Sequence, residues 1–202
     1  MKNTVLLKRI ATISTGYTLR DSLQFVKEGD VRLLQIKDLP KDNGKIEIEE
    51  LSQIIWDYPS KPILKANNII LSTRGDNRAY LFTGSEKDNV LVSNQFIIIE
   101  LNSPKISAEF LVWYLNNAPQ IKRYFSMHSR GSFLSMLNIA TIKDAPIIIP
   151  DYSQQQALLS MYKQAEDETK RYQKLAQLRQ EYNQAKSEQI LNALQGIHDD
   201  NN

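Results

Sequence analysis

Three stretches of this sequence bring cations, side-chain amides, hydroxyls and aromatics together in short polar segments. The first is Gly16, Tyr17, Thr18, Leu19, Arg20. The second is Arg74, Gly75, Asp76, Asn77, Arg78, Ala79, Tyr80. The third runs from Lys122 through Arg123, Tyr124, Phe125, Ser126, Met127, His128, Ser129, Arg130 and Gly131 to Ser132. An arginine fork pairs with the two acceptors on a guanine edge, and an Asn or Gln amide matches adenine. Ser, Lys and backbone N–H groups hold phosphates. The candidate nucleic-acid contacts are Tyr17, Arg20, Arg74, Asn77, Arg78, Tyr80, Arg123, His128, Ser129, Arg130 and Ser132, with Arg74, Arg78 and Arg130 first among the base readers. Taken singly, each stretch reads more simply as a solvated turn. Tyr124 and Phe125 suit a core, and His128 suits a surface hydrogen bond.

Catalytic patterns are missing. The seven glycines never form G-x-G, so no dinucleotide or adenosylmethionine loop is present, and there is no Walker loop. No Asn-Pro-Pro-aromatic motif exists. With no cysteine and two histidines, neither a thiolate site nor a multi-His metal site can be built, and no cofactor or metal is expected. Pro150-Asp151 followed by Glu168-Thr169-Lys170 imitates the P-D…E-x-K pattern of nucleases. That chemistry needs both acids around one Mg²⁺. Here Glu168 and Lys170 fall in a long helical segment, roughly 25 Å from Asp151.

Composition is that of a soluble chain of one or two domains, 42% hydrophobic and 24% charged. The net charge of +2 divides unevenly, with +4 on residues 1–150 and −2 on residues 151–202. An excess of +4 only weakly suggests nucleic acid. No 18-residue apolar run and no N-terminal apolar leader segment occur, so the expectation is a cytoplasmic protein without membrane contact.

The elements that must hold the polar stretches read as α+β, strands first and helices after. Residues 5–10 open the domain, residues 13–18 read as a strand end running into a turn, and strands are expected at 30–39, 46–49, 69–71, 79–83, 90–101 and 145–149. Residues 42–45 form a turn. Ser107 caps a helix through Asn116 that turns Phe110, Leu111, Tyr114 and Leu115 inward. Pro119 opens a second helix, Ser126 to Phe133 forms a loop, and Asn138 caps a short helix.

From Pro150 to Gly196 the sequence changes character. Good helix formers dominate, and no proline follows Pro150. Ser153 and Gln156 have capping-box spacing, and Gly196 suits the left-handed position past the end. Glu166–Lys170 and Asp167–Arg171 are favourably oriented i,i+4 pairs. One helix of about 40 residues would span about 60 Å. Its apolar seam is Leu158, Met161, Ala165, Tyr172, Leu175, Leu178, Tyr182, Ile190 and Leu194, with Glu168 as a polar break. So narrow a seam on so long a helix calls for a partner helix from another chain.

The order of these pieces resembles the specificity subunits of type I restriction-modification systems. The resemblance rests on 34–39 (LQIKDL), 64–75 (LKANNIILSTRG), 92–101 (VSNQFIIIEL), 110–115 (FLVWYL), Arg130-Gly131-Ser132, Ile147–Pro150 and Gln154–Gln156. No single string is specific, whereas the ordered set is. In two places the sequence departs from the family pattern. Asn68 stands where an aspartate is usual, and Pro150-Asp-Tyr-Ser-Gln-Gln stands for Pro-x-x-x-Glu-Gln.

The resemblance implies a mixed α/β target recognition domain over 1–150, a dimerisation and spacer helix over 151–196 that pairs as an antiparallel coiled coil, and a disordered tail at 197–202. Family members usually carry two recognition domains and two helices, so this chain resembles a half-length form. The implied function is non-catalytic, sequence-specific recognition of double-stranded DNA. The implied partners are modification (methyltransferase) subunits, restriction subunits and a second copy of the chain. The alternative is an assembly adaptor, or a truncated product of a specificity locus, whose helix joins other subunits while reading no DNA.

Overall fold

A computed structural model describes residues 4–18, 25–40, 45–57, 63–128 and 137–199, with side chains through 193. The strands in chain order are β1 (Thr4–Leu6), β2 (Ala11–Thr15), β3 (Phe25–Val26), β4 (Val31–Leu34), β5 (Ser52–Ile54), β6 (Ile69–Ser72), β7 (Ala79–Leu81), β8 (Val90–Val92) and β9 (Phe96–Leu101). The helices α1 (Ala108–Asn117), α2 (Pro119–His128) and α3 (Ile139–Lys143) follow, then β10 (Pro146–Ile148) and the long α4 (Tyr152–Asp199). The strands form three sheets: β1-β10, β2-β9-β6-β7 and β3-β5-β4-β8. All pairings are antiparallel except β4 with β8. The chain divides into two units, Met1–Gln156 and Ala157–Asn202.

In the third sheet, β4 and β8 pack against apolar cores on both faces. Val31, Leu33 and Leu91 turn to a small core with Ile54 and Trp56. Leu34, Val90 and Val92 turn to the larger core of Ile70, Phe82 and Phe96. This two-sided burial explains why β8 reads as an apolar run rather than as an alternating strand.

Several expected strands are shorter or differently placed. The 30–39 stretch is a strand only through Leu34, because Gln35 and Asp38 form a capping box that starts a 3-10 turn. Ile48–Glu50 is a 3-10 turn rather than a strand, with Ile46 buried and Ile48 packed on the larger core. Alternation there reflects a loop that inserts two isoleucines. The 90–101 run is two strands in different sheets, since residues 93–95 turn the chain from one sheet to the other. Residues 7–9 form a 3-10 turn, and the loop expected from Ser126 is helical through His128. The turn expected at 42–45 lies largely outside the described residues.

Helix starts follow their caps. Ser107 accepts from the Phe110 N–H at 3.1 Å, and Asn138 accepts from the Thr141 N–H at 2.8 Å. The capping box of α4 lies two residues before the expected Ser153–Gln156 pair. Asp151 Oδ1 accepts from the Gln154 N–H at 2.9 Å, and Gln154 Oε1 accepts from the Asp151 N–H at 3.3 Å. The Ser153 hydroxyl donates to the same carboxylate at 2.7 Å. These bonds, the Ser153 hydroxyl first and then the Gln154 N–H, hold the Asp151 carboxyl below its ordinary pKa. Asp151 takes the cap because its carboxylate is the stronger acceptor.

Gln155 is completely buried. Its Nε2 donates to the carbonyls of Lys105 and Pro150 at 2.8 and 3.0 Å, and its Oε1 accepts from the Ser107 N–H at 3.0 Å. Both residues that depart from the pattern make bonds through a side-chain oxygen that the usual residue also has. Gln154 closes the box with an oxygen that a glutamate also has. Asn68 Oδ1 accepts from the Lys65 N–H at 2.9 Å, a bond an aspartate would make equally.

The long helix α4 has 48 residues, about 72 Å of length. It passes through Gly196 to Asp199, so the expected stop at Gly196 and the first three tail residues are helical. A glycine inside a helix costs only about 1 kcal/mol and does not by itself end one. On this helix Leu158 is half-buried, while Met161, Ala165, Tyr172, Leu175, Leu178, Tyr182 and Ile190 are exposed. The Leu194 side chain lies outside those described. Surface support comes from Gln177 donating to Glu181 and Gln184 donating to Glu188, and from Lys186 Nζ 5.8 Å from the centre of the Tyr182 ring.

Candidate nucleic-acid interface

Two sheets and two helices converge on the Arg74–Tyr80 stretch. It connects β6 to β7, and its backbone is fixed at both ends. The Ser72 N–H donates to the Arg78 carbonyl at 3.0 Å, and the Ser72 hydroxyl donates to the Arg74 carbonyl at 2.7 Å. Gly75 and Asn77 both adopt left-handed backbone, φ 71° and 48°. Glycine does so without strain, and asparagine tolerates it better than most side chains. The tip therefore projects Arg74 and Asp76 into solvent while Asn77 and Arg78 are half-buried.

The 93–95 turn lies beside this loop. The Gln95 carbonyl accepts both the Thr73 N–H at 3.0 Å and the Thr73 hydroxyl at 2.9 Å. On its other flank the Tyr17 N–H donates to the Val92 carbonyl, and the Asn94 N–H donates to the Tyr17 carbonyl, each at 2.8 Å. Gly16 permits this approach: a Cβ there would lie 2.0 Å from the Ser93 carbonyl oxygen. Two of the three predicted stretches thus share one edge, joined through 93–95. The Tyr17 ring stands edge-on to Trp56, centroids 4.7 Å apart, and packs against the small core.

Opposite the loop, the end of α1 and one side of α2 line a cleft of about 560 Å³. Asp76, Asn77 and Arg78 face Asn116, Asn117, Lys122 and Ser126 across a floor of Leu115 and Phe125. Asn116 receives the Ala79 N–H and donates to the Ala79 carbonyl, both at 2.8 Å. The Tyr80 hydroxyl is pushed above its ordinary pKa, chiefly by burial, with Arg78 acting against the shift.

Elsewhere on α2 the predicted residues serve the helix itself. Arg123 Nε donates to the Pro119 carbonyl at 3.3 Å. His128 Nδ1 lies 2.8 Å from the Tyr124 carbonyl, and its ring lies over Tyr124 with centroids 4.3 Å apart. The Tyr124 hydroxyl donates to the Thr141 carbonyl at 3.0 Å, and Phe125 is buried. Arg20, Ser129, Arg130 and Ser132 lie outside the described residues.

Sequence reasoning passed over Asn94, Gln95 and Asn116, and it left Lys122 and Ser126 of the third stretch out of the candidate contacts. The first two were hidden in what reads as one long strand. Their signal was the polar Ser93-Asn94-Gln95 interruption between Val90–Val92 and the apolar run beginning at Phe96. Asp151, Glu168 and Lys170 do not form a nuclease site, since Asp151 caps α4 and the other two lie exposed along it. Among the described residues no group of three or more His, Asp or Glu side chains could hold a metal ion, and no helix is long and apolar enough to cross a membrane.

A mixed α/β domain with a polar cleft lined by arginine, lysine and asparagine is the class that this fold and site define, and comparison with known proteins gives the family. Residues 2–180 match the model of the type I restriction modification DNA specificity domain, and the chain belongs to that family. Across 148 residues it is 29% identical to the type I restriction enzyme HindI specificity subunit of Haemophilus influenzae, covering 71% of this chain and 30% of that protein. The chain therefore spans about a third of the relative's length.

The fold is similar to that of the S subunit of a type I restriction-modification system from M. genitalium, with a TM-score of 0.52 and 14% identity over 82% of this chain and 39% of that one. It is also similar to the HsdS subunit of Thermoanaerobacter tengcongensis, with a TM-score of 0.57 and 14% identity over 82% of this chain and 37% of that one. A chain from a structure of a type I R-M system matches with a TM-score of 0.59 and 12% identity, over 82% of this chain and 38% of that one.

Proposed function

We propose that this chain reads duplex DNA by sequence, without catalysing a reaction on it, as a specificity component of a cytoplasmic type I restriction-modification complex. The observation that carries the reading is the cleft in which Asn77 and Arg78 face Lys122 and Ser126, beside the exposed Arg74. Arginine and asparagine supply base-edge recognition, and lysine and serine supply phosphate contacts. Residues 1–150 act as the recognition domain. Residues 151–196 act as spacer and docking surface, with modification subunits as the catalytic partners and restriction subunits joining in the full complex.

We further propose a homodimer through α4. Exposed Tyr172, Leu175, Leu178 and Tyr182 present an apolar face of the kind that marks an interaction surface. Two copies of one recognition domain related by a two-fold axis read the same bases in opposite senses, so the target is an interrupted palindrome. Deleting seven residues between Lys170 and Lys186 keeps the seam roughly in phase and shortens α4 by about 10 Å, near three base pairs at about 3.4 Å each. The shortened form prefers a smaller gap, or modifies nothing, with unchanged half-sites.

The test is selection from a duplex library with randomised half-sites and variable gaps, using the chain with its modification partner at several salt concentrations. Enrichment of one interrupted palindrome is the expected result. An asymmetric target excludes the symmetric dimer. Assembly with partner subunits but no enriched sequence establishes the adaptor reading instead.

A further inference from the structure

We infer that Asn116, on α1, is a positioning residue for base discrimination: its single amide sets where Arg78 stands in the cleft. The inference rests on the DNA-reading proposal. Strand β7 is the outer strand of its sheet, and only one of its sides is paired with β6. Arg78 gives its carbonyl to the Ser72 N–H, and Phe82 gives its N–H to the Asn68 carbonyl. In an antiparallel ladder the residues between such bonded positions direct N–H and C=O to the opposite side. Ala79, opposite Leu71, is one of these, and it is 2% exposed. Its outward backbone groups need partners that water cannot supply.

Asn116 supplies both. Its Oδ1 accepts the Ala79 N–H and its Nδ2 donates to the Ala79 carbonyl, each at 2.8 Å. Only one orientation of the amide satisfies this pair, because the backbone offers one donor and one acceptor. The side chain therefore imitates a neighbouring strand for one residue and ends the sheet there.

The consequence reaches the cleft because Ala79 lies directly between Arg78 and Tyr80. Asn116 is in the last turn of α1, and α2, which carries Lys122 and Ser126, begins two residues after α1 ends. The Ala79 pin ties the arginine-bearing wall to the wall with the lysine. Without it, the 74–80 loop keeps its bonds to Ser72, and the preceding Thr73 its bonds to Gln95, but the loop loses its fixed distance from α2. Bidentate base recognition tolerates little such drift, whereas charge attraction to phosphate tolerates more.

The test uses the full chain and selection from a randomised duplex pool. Compared are wild type, Asn116→Leu, Asn116→Asp, Arg78→Ala and Arg78→Ala combined with Asn116→Leu. Leucine preserves bulk and removes both bonds. Aspartate keeps the acceptor and sets a carboxylate against the Ala79 carbonyl.

Asn116→Leu is expected to lower affinity for the selected site about 5- to 100-fold. It should blur the same base position as Arg78→Ala and leave the dependence of affinity on salt unchanged. The double variant should lose no more than the worse single one, because both act on one contact. Amide exchange should quicken at 74–80 in Asn116→Leu, with Asn116→Asp showing the same blurred position if leucine prevents folding.

An unchanged motif in both Asn116 variants, or losses that multiply in the double variant, would overturn the inference while leaving DNA reading intact. No sequence preference in the wild type would overturn both.

Discussion

Replacing Gln155 by leucine isolates the contribution of one buried amide to the unit Met1–Gln156. Leucine is close to glutamine in volume, so little cavity forms. What disappears is one acceptor, for the Ser107 N–H, and two donors, for the carbonyls of Lys105 and Pro150. A hydrogen bond of this kind contributes about 1 kcal/mol net, and a buried group left without a partner costs about 1–3 kcal/mol. Lys105 is exposed and Ser107 and Pro150 are half-buried, so water reaches some of the orphaned groups and the lower end applies. The sum is about 3 kcal/mol. At about 2 kcal/mol/M, within the usual range for urea, the unfolding midpoint should fall by about 1.5 M. Urea titrations followed by tryptophan fluorescence report it directly, since Trp113 lies in α1, the helix that Ser107 caps. Gln154→Leu, at an exposed capping-box position, serves as the control and should shift the midpoint far less. Equal shifts for the two variants, or a shift below about 0.3 M for Gln155→Leu, would refute the claim that this buried amide ties the Lys105–Ser107 backbone to Pro150.

Three other outcomes follow from the same geometry. Gly16→Ala drives a methyl group into the Ser93 carbonyl, so backbone must move; it should lower stability by about 2–3 kcal/mol in thermal unfolding and weaken DNA binding with it. Asp151→Asn should flatten the acid side of the stability profile: a carboxyl whose folded pKa is lowered contributes fully above its unfolded pKa, near 3.9, and loses that contribution as pH falls through the folded value. Charge introduced together at Leu158, Tyr172 and Leu175 should yield monomers in sedimentation, whereas a wild type that is monomeric at every concentration refutes pairing through α4.

Local chemistry made part of this protein legible. Ser107, Asn138 and Pro119 each begin a helix where an N-cap or first-turn residue should, because capping needs only a side-chain oxygen and the next few N–H groups. The long helix was visible from its composition, and the family from the order of short strings. Register and boundaries inside the sheets were not visible. Both strands of the 90–101 stretch are apolar without alternation, and the short polar Ser93-Asn94-Gln95 turn between them is easily taken for part of one strand. The cap at Asp151 was missed for a smaller reason: two residues on either side of Tyr152, Asp151 and Ser153, could each fill the role, and the carboxylate prevails.

The residue types of the candidate interface were fixed by the sequence, and their company was decided by tertiary structure. Arg74, Asn77 and Arg78 could be named from their chemistry alone. That Thr73 is bonded to Gln95, that Asn94 is bonded to Tyr17, and that Asn116 clasps Ala79 are hydrogen bonds across 22, 77 and 37 residues of chain. Such bonds exist because two sheets and a helix pack around shared apolar cores. Short-range spacing carries the propensity of a turn, but only that packing determines which other turn it meets.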